Sequence, residues 1–131
     1  MTVIDQEVGV EGLGQPRAEK EPCGTVVVGS TGPLDVLQAR EVGAAARAGA
    51  AGGALGVVLD LTETTSADAI GVLLLVEEVS ALTDAGLPVA LCGMRPQLEQ
   101  RLHRAGVSRQ AAVCDTRADA RRLLAELASK S

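Results

Sequence analysis

The sequence predicts one α/β domain in which strands and helices alternate along the chain. Short continuous apolar runs are typical of strands buried on both faces of a partly parallel sheet, and helical stretches separate them. At 131 residues the chain is long enough for one hydrophobic core and too short for a second. Strands that alternate with helices imply right-handed crossovers and a layered α/β domain.

The N-terminal segment differs from the rest because it mixes glycine, proline and charged side chains. Such a composition does not sustain a buried periodic element. We therefore expect residues 1–23 to form an arm with an edge strand at residues 3–10, and residues 24–131 to form the domain.

Apolar runs mark the strands of the domain. The β-branched run 25–28 should stop at Gly29, ahead of the turn-forming residues 30–33. Gly86 and Gly106 are placed as C-terminal caps of helices, each just before a later strand. The remaining predicted strands are residues 57–61, 87–92 and 110–114.

Helical spacing of apolar side chains predicts four helices. The first follows Asp35, a candidate N-terminal cap, and ends among Gly49, Gly52 and Gly53; the last follows Thr116 in a capping box with Asp119. Each helix should bury one apolar face on the sheet. The apolar side chains at helical spacing are Leu37, Val42, Ala45 and Ala46 in the first helix, Ile70, Leu73, Leu74, Val76, Val79 and Leu82 in the second (69–85), Leu98, Leu102 and Ala105 in the third (96–105), and Ala120, Leu123, Leu124 and Leu127 in the last.

Composition disfavours two classes of partner. The chain has no Phe, Tyr or Trp on which a base could stack, and its net charge of −5 opposes phosphate backbones, so we expect no nucleic-acid binding. Acidic residues and no basic residue precede Arg17, and no apolar run is long enough to span a bilayer. The sequence therefore predicts a cytoplasmic protein that is not membrane-embedded.

Side chains for catalysis or metal binding do not converge on one site. His103, the only histidine, lies between Leu102 and Arg104 on a predicted helix, without a nucleophile in a strained turn nearby. The glycines form no phosphate-binding motif, and the cysteines lack metal-ligand spacing. We predict no catalytic residues, no metal site and no cofactor, and hence no enzyme.

Two of the three cysteines end strands that should be adjacent. Cys92 and Cys114 are thus either reduced, buried thiols or the partners in a regulatory disulfide, and both interpretations remain open.

Residues 60–71 form a polar segment between a predicted buried strand and an apolar helix. Loops in this position carry function in open α/β sheets. The same residues also allow a purely structural interpretation in which Ser66 or Asp68 caps the following helix.

Four local patterns in order resemble the STAS family of bacterial anti-sigma factor antagonists and related domains of anion transporters. They are the turn at residues 32–35, the strand end at residues 60–62, the spacing from there to Asp68, and residues 93–98 followed by 102–107. The resemblance covers residues 24–128. It implies a mixed, mostly parallel sheet of four to five strands with about four helices packed largely on one face.

The sequence departs from the family at the phosphate acceptor. In members switched by a partner kinase, the aspartate equivalent to Asp68 is followed by hydroxyl residues, one of which is phosphorylated; here Ala69, Ile70 and Gly71 follow. We therefore predict no phosphorylation at the usual position. Thr65 and Ser66 are the nearest of the remaining hydroxyl alternatives, with Thr62 and Thr64, but moving the acceptor by several Å would spoil in-line geometry.

The resemblance implies a protein-binding regulatory module that docks residues 62–84 on an anti-sigma factor with a kinase-like fold and frees a sigma factor for transcription, as in stress responses. Ile70 either turns into the core or faces outward as an anchor.

Two other functions remain open for the chain. It is either a non-phosphorylatable scaffold packed with other STAS proteins, or an accessory subunit of a lipid or anion transporter, whereas a simple antagonist would be a monomer or homodimer. The candidate partner-binding residues are Asp35, Thr62, Thr64, Thr65, Ser66, Asp68, Ala69, Ile70 and Gly71.

Overall fold

The computed structural model describes residues 17–20 and 24–130 and confirms the predicted alternation of strands and helices in that part of the chain. The strands are β1 (Arg17–Lys20), β2 (Thr25–Leu34), β3 (Gly56–Ala67), β4 (Val89–Cys92) and β5 (Ala112–Cys114). The helices are α1 (Val36–Ala51), α2 (Ala69–Asp84), α3 (Pro96–Arg104) and α4 (Arg117–Lys130), and a short 3-10 helix spans Val107–Arg109.

The strands form one sheet in the order β1-β2-β3-β4-β5. β1 runs antiparallel to β2, and every other neighbouring pair is parallel. The predicted mixed, mostly parallel sheet is therefore confirmed, and α1, α2 and α3 form the connections between its parallel strands.

The two faces of the sheet bury different helices because side chains alternate along each strand. One face carries Val57 and Leu59 and packs against α1, α2 and α3. The opposite face carries Val58 and packs against Ala120 and Leu124 of α4. The helices thus lie largely on one face, as expected, with α4 on the other.

The predicted helix caps are present. The Gln38 backbone amide donates to Asp35 Oδ1 at 2.9 Å, and the Asp119 amide donates to Thr116 Oγ1 at 3.1 Å. Gly86 has φ 88° just beyond α2, a left-handed conformation that favours glycine.

The predicted buried faces of the helices are partly wrong. α2 begins with eight residues that are almost all apolar, so periodicity could not select its buried side. Its buried side is Gly71, Val72, Leu75, Val79 and Leu82, and that of α1 includes Ala39, Val42 and Ala46. Large side chains that the helical spacing included in the apolar faces but that are exposed are Leu37 (67%), Leu73 (56%) and Leu127 (44%).

Two strands run further than predicted. β2 does not stop at Gly29 but continues to Leu34, and β3 does not stop at Leu61 but continues to Ala67. The two strands stay paired through two register shifts, which insert extra residues on β3. Most of the segment that we predicted as a polar loop is therefore strand, a conformation that its threonines favour.

The edges of the sheet also differ from the prediction. The antiparallel edge strand is β1, inside the segment predicted as an arm, whereas residues 3–10 lie outside the described residues. β4 and β5 each begin two residues later than the apolar pattern suggested.

Candidate protein-binding site

The site is built on the part of β3 that extends beyond the end of the neighbouring strand β4. β4 ends at Cys92, opposite Asp60, whereas β2 continues to pair with β3 as far as Ala67. Residues 62–67, which we call the overhang, therefore have a strand partner on one side only. α2 starts just after the overhang.

Asp60 anchors the base of the overhang. Its Oδ1 accepts hydrogen bonds from the backbone amide of Thr62 at 3.0 Å and from Thr62 Oγ1 at 2.5 Å. Its Oδ2 accepts from Nε and Nη2 of Arg117 at 3.0 and 2.7 Å. Burial alone would raise the pKa of the Asp60 carboxyl, but the hydrogen bonds from Thr62 and Arg117 hold it below its ordinary value. The carboxylate thus joins β3 to the first turn of α4.

The loop after β4 closes over this anchor. Gly93 has φ 78°, and a Cβ there would lie 2.1 Å from Thr62 Oγ1. Only glycine fits such a backbone conformation at such a short distance. Sequence reasoning used Asp60 and Gly93 only as motif residues, named Thr62 as a candidate partner-binding residue, and missed Arg117, which is remote in sequence.

The far end of the overhang is fixed to the helices. The Gly71 amide donates to Asp68 Oδ1 at 2.6 Å, so Asp68, and not Ser66, caps α2. A Cβ at Gly71 would lie 2.2 Å from the carbonyl oxygen of Leu34. This close approach packs the start of α2 onto the end of β2, beside the start of α1.

The structure brings most of the predicted contact residues to one end of the sheet. Thr64 is buried, at 3% exposure, and Gly71 is also buried, so neither presents a side chain to a partner in this structure. Asp35 and Asp68 cap helices while remaining exposed. The other exposed members of the set are Thr62, Thr65, Ser66, Ala69 and Ile70.

Four exposed apolar side chains lie within the first five residues of α1 and α2. Ile70 faces outward, which excludes the alternative in which it turns into the core, and its role as an anchor stays a prediction. The others were not predicted to be surface residues, because apolar content alone does not show which side of a helix is covered. This helix-start patch consists of Val36 (36% exposed), Leu37 (67%), Ile70 (59%) and Leu73 (56%).

The STAS domain family model matches residues 16–120, which extends the predicted resemblance at its start to include β1. This chain belongs to the STAS family.

Solved structures share the STAS fold with this chain. A variant of RsbS from Moorella thermoacetica is 22% identical, with a TM-score of 0.73 over 87% of this chain and 97% of that one. A putative anti-sigma factor antagonist from Thermotoga maritima is 16% identical, with a TM-score of 0.69 over 83% and 93%. The anti-sigma factor antagonist SpoIIAA in its unphosphorylated form is 17% identical, with a TM-score of 0.60 over 79% and 91%. No curated protein sequence matches.

Cys92 and Cys114 of this STAS domain lie opposite each other on β4 and β5, and both are free thiols. Burial, and then the charge of Asp60, raises the pKa of the Cys92 thiol to about 11. Burial also raises the pKa of Cys114. Both thiols are thus protonated at neutral pH, which lowers their reactivity.

A membrane-spanning element is not found in the described residues: none of their helices has the length and apolar character required to cross a bilayer.

Proposed function

We propose that this STAS domain is a cytoplasmic, non-enzymatic regulator that binds an anti-sigma factor with a kinase-like fold. The contact surface is the overhang together with the helix-start patch. The observation that carries the proposal is the outward orientation of Ile70, which is 59% exposed at the first turn of α2.

The helix-start patch has the character of an interface core. Transferring an aliphatic side chain such as Ile70 or Leu73 fully out of water contributes about 1.5 to 3 kcal/mol. The Asp68 cap and the contact of Gly71 with Leu34 hold the patch in place, so little ordering entropy is lost on binding.

Polar groups border this patch. The side chains of Thr65 and Ser66 are exposed on the overhang, next to the start of α2. An apolar centre with a polar rim is the usual anatomy of a protein interface. The arrangement supports a partner that covers both elements at once.

Phosphate control at the usual position is absent from the proposed mechanism. Ala69 and Ile70 occupy the first turn of α2 and carry no hydroxyl group. Phosphorylation in a switched family member would add nearly two negative charges to the interface. Without that charge, binding to the partner would be constitutive, and incubation with the partner and ATP should incorporate no phosphate.

Capture of the partner tests the proposal. The tagged protein is recovered from a native lysate of its own organism as wild type, Ile70→Lys and Leu55→Lys, and bound proteins are identified by mass spectrometry. Leu55 is a matched control because it is also 59% exposed but precedes β3, at the opposite end of the sheet. We expect wild type and Leu55→Lys to retain a kinase-like anti-sigma factor and Ile70→Lys to lose it.

Two results would contradict this assignment. Retention of the anti-sigma factor by Ile70→Lys would remove the helix-start patch from the interface. Recovery of other STAS proteins or transporter subunits instead of an anti-sigma factor would make the chain a scaffold or an accessory subunit. The molecular mass in solution distinguishes a scaffold from an antagonist, since a scaffold should form large assemblies whereas an antagonist should be a monomer or dimer.

A further inference from the structure

The helix-start patch lies at the end of an open strand edge. β1 pairs with β2 no further than Gly29, whereas β2 itself continues to Leu34. Residues 30–34 therefore have no strand neighbour on the β1 side in the part of the chain that the structure describes. Val36 and Leu37 of the patch follow directly after this edge, so the edge leads from β1 to the patch.

The direction of β1 aims the preceding chain along this edge. β1 is antiparallel to β2 with Arg17 opposite Gly29, so its first residue faces the end of the sheet that carries the patch. Leu34 lies about 17 Å beyond Gly29, at about 3.3 Å per strand residue. The 16 residues that precede Arg17 can span about 50 Å when extended. This length is sufficient to reach the patch and to lie across it.

The composition of the preceding segment suits an apolar surface. Residues 3–10, which lie outside the described residues, contain the aliphatic side chains of Val3, Ile4, Val8 and Val10 and no lysine or arginine. The helix-start patch offers four exposed aliphatic side chains of its own. Contact between the two sets would be favourable by about 25 cal/mol for each Å² of apolar surface removed from water.

Charge at the border of the patch favours the same segment. Arg40 is exposed one helical turn after Val36, and it forms no ion pair with any described residue. The segment supplies three carboxylates within residues 5–11 as partners for this guanidinium. The carboxylates of Asp35 and Asp68 oppose this attraction, but each accepts an amide hydrogen bond at a helix N-terminus, where the helix dipole offsets negative charge.

We propose that residues 3–10 cover the helix-start patch of their own chain and compete with the protein partner for it. The inference concerns the regulation of the surface assigned above, and in this respect it rests on the proposed function. The competitor is part of the chain and acts at all times, so the apparent affinity for the partner is reduced by the fraction of molecules in which the patch is open. Binding of the partner remains constitutive but is weaker than the patch alone would give.

Two isoleucines make the cover measurable without a partner. The sequence contains Ile4 in the segment, Ile70 in the patch and no other isoleucine, so labelling the isoleucine δ1 methyl groups of the full chain gives two NMR signals. A soluble gadolinium chelate broadens the signals of exposed methyl groups. We compare wild type with the double variant Val8→Ser, Val10→Ser, which weakens apolar contacts, and with the matched control Val8→Leu, Val10→Leu, which keeps them.

Both isoleucine signals should broaden about twofold more in the serine variant than in wild type, because two apolar contacts of the cover are lost. The leucine variant should behave as wild type, and dilution of the wild type should change nothing. Equal broadening of Ile70 in all three proteins would overturn the proposal. Protection of Ile70 that disappears on dilution would assign the cover to a second copy of the chain and would also overturn it.

Affinity for the captured anti-sigma factor tests the competition. The serine variant should bind about threefold or more tightly than wild type because its patch is open more often, and the leucine variant should show no gain. Unchanged or weaker binding by the serine variant, measured by titration calorimetry, would overturn the competition. If no anti-sigma factor is captured, the proposed function fails, whereas the isoleucine measurement still decides whether the segment covers the patch.

Discussion

The two halves of β3 differ in their pairing and in their burial. Residues 56–59 lie between β2 and β4 and are fully buried, and Asp60 ends this half with both carboxylate oxygens hydrogen-bonded. The overhang pairs with β2 alone, across two register shifts, and most of its side chains are exposed. One half satisfies its polar groups internally, and the other leaves the side chains of Thr65 and Ser66 exposed, where we propose that a partner binds.

The difference bears on which substitutions should affect folding and which should affect the proposed binding. Satisfied polar networks make a region rigid, whereas segments with few buried contacts open at lower free energy. The overhang can expose hydroxyl groups and carry the start of α2 because Asp60 and Asp68 fix its two ends. Substitutions in the first half should therefore affect folding, and substitutions in the second half should mainly affect binding.

The largest effect on stability is expected from Gly93→Ala, in the loop after β4 that packs against Asp60 and Thr62. The new Cβ would meet Thr62 Oγ1 at 2.1 Å in a left-handed backbone conformation, so we expect a loss of about 3 kcal/mol in the free energy of unfolding. Urea denaturation followed by circular dichroism measures this loss, since the chain has no tryptophan for fluorescence.

Gly86→Ala is the matched control for that substitution. Gly86 has a similar φ of 88° but no atom within 4 Å of the added Cβ, so only the backbone strain of about 1 kcal/mol applies. Equal losses of unfolding free energy in the two variants would show that the close packing of Gly93 against Thr62 contributes nothing to stability.

A smaller effect is expected from Asp60→Asn, which weakens the hydrogen bonds to Thr62 and Arg117. We expect a loss of about 2 kcal/mol at neutral pH, as for hydrogen bonds to a charged group. Because the pKa of Asp60 is lowered on folding, this stabilisation is present above the unfolded pKa of about 4 and is lost as the pH falls through the folded pKa. Urea midpoints of wild type and Asp60→Asn should thus converge in acid; a difference that stays constant with pH would contradict the role of the charge.

Asp68→Ala should cost about 1 kcal/mol, the usual effect of removing a helix cap. Ser66→Ala is the control from the same segment, since Ser66 is exposed and does not cap α2, and it should change stability by less than about 0.5 kcal/mol. Thermal unfolding compares the two, and a larger loss for Ser66→Ala would reverse the assignment of the cap.

The smallest effect is expected at the cysteines. Burial raises the pKa values of Cys92 and Cys114, and both are free thiols, so mild oxidation should not join them. Peptide mapping after alkylation should recover both as free thiols under oxidising and reducing conditions. A Cys92–Cys114 disulfide in the oxidised sample would restore the redox interpretation.

The sequence predicted those features that local signals determine. Residues 25–28 are β-branched, Asp35 and Thr116 precede apolar helical segments, and Gly86 follows one, so these strands and caps could be placed. Such signals involve residues a few positions apart, and they need no knowledge of the tertiary structure.

Features that depend on tertiary pairing could not be predicted. The overhang is a strand only because β2 continues beside it, and Arg117 contacts Asp60 from 57 positions away. Ile70 could be either a core side chain or a surface side chain, because a helix that begins with apolar residues throughout does not reveal which of its sides is exposed.

Hydrogen–deuterium exchange of the complex with the captured partner tests the central claim most directly. The account predicts that binding protects peptides covering residues 62–73, from the overhang into α2, and leaves residues 52–58 at the opposite end of the sheet unchanged. Protection confined to residues 52–58, with residues 62–73 exchanging as in the free protein, would contradict it.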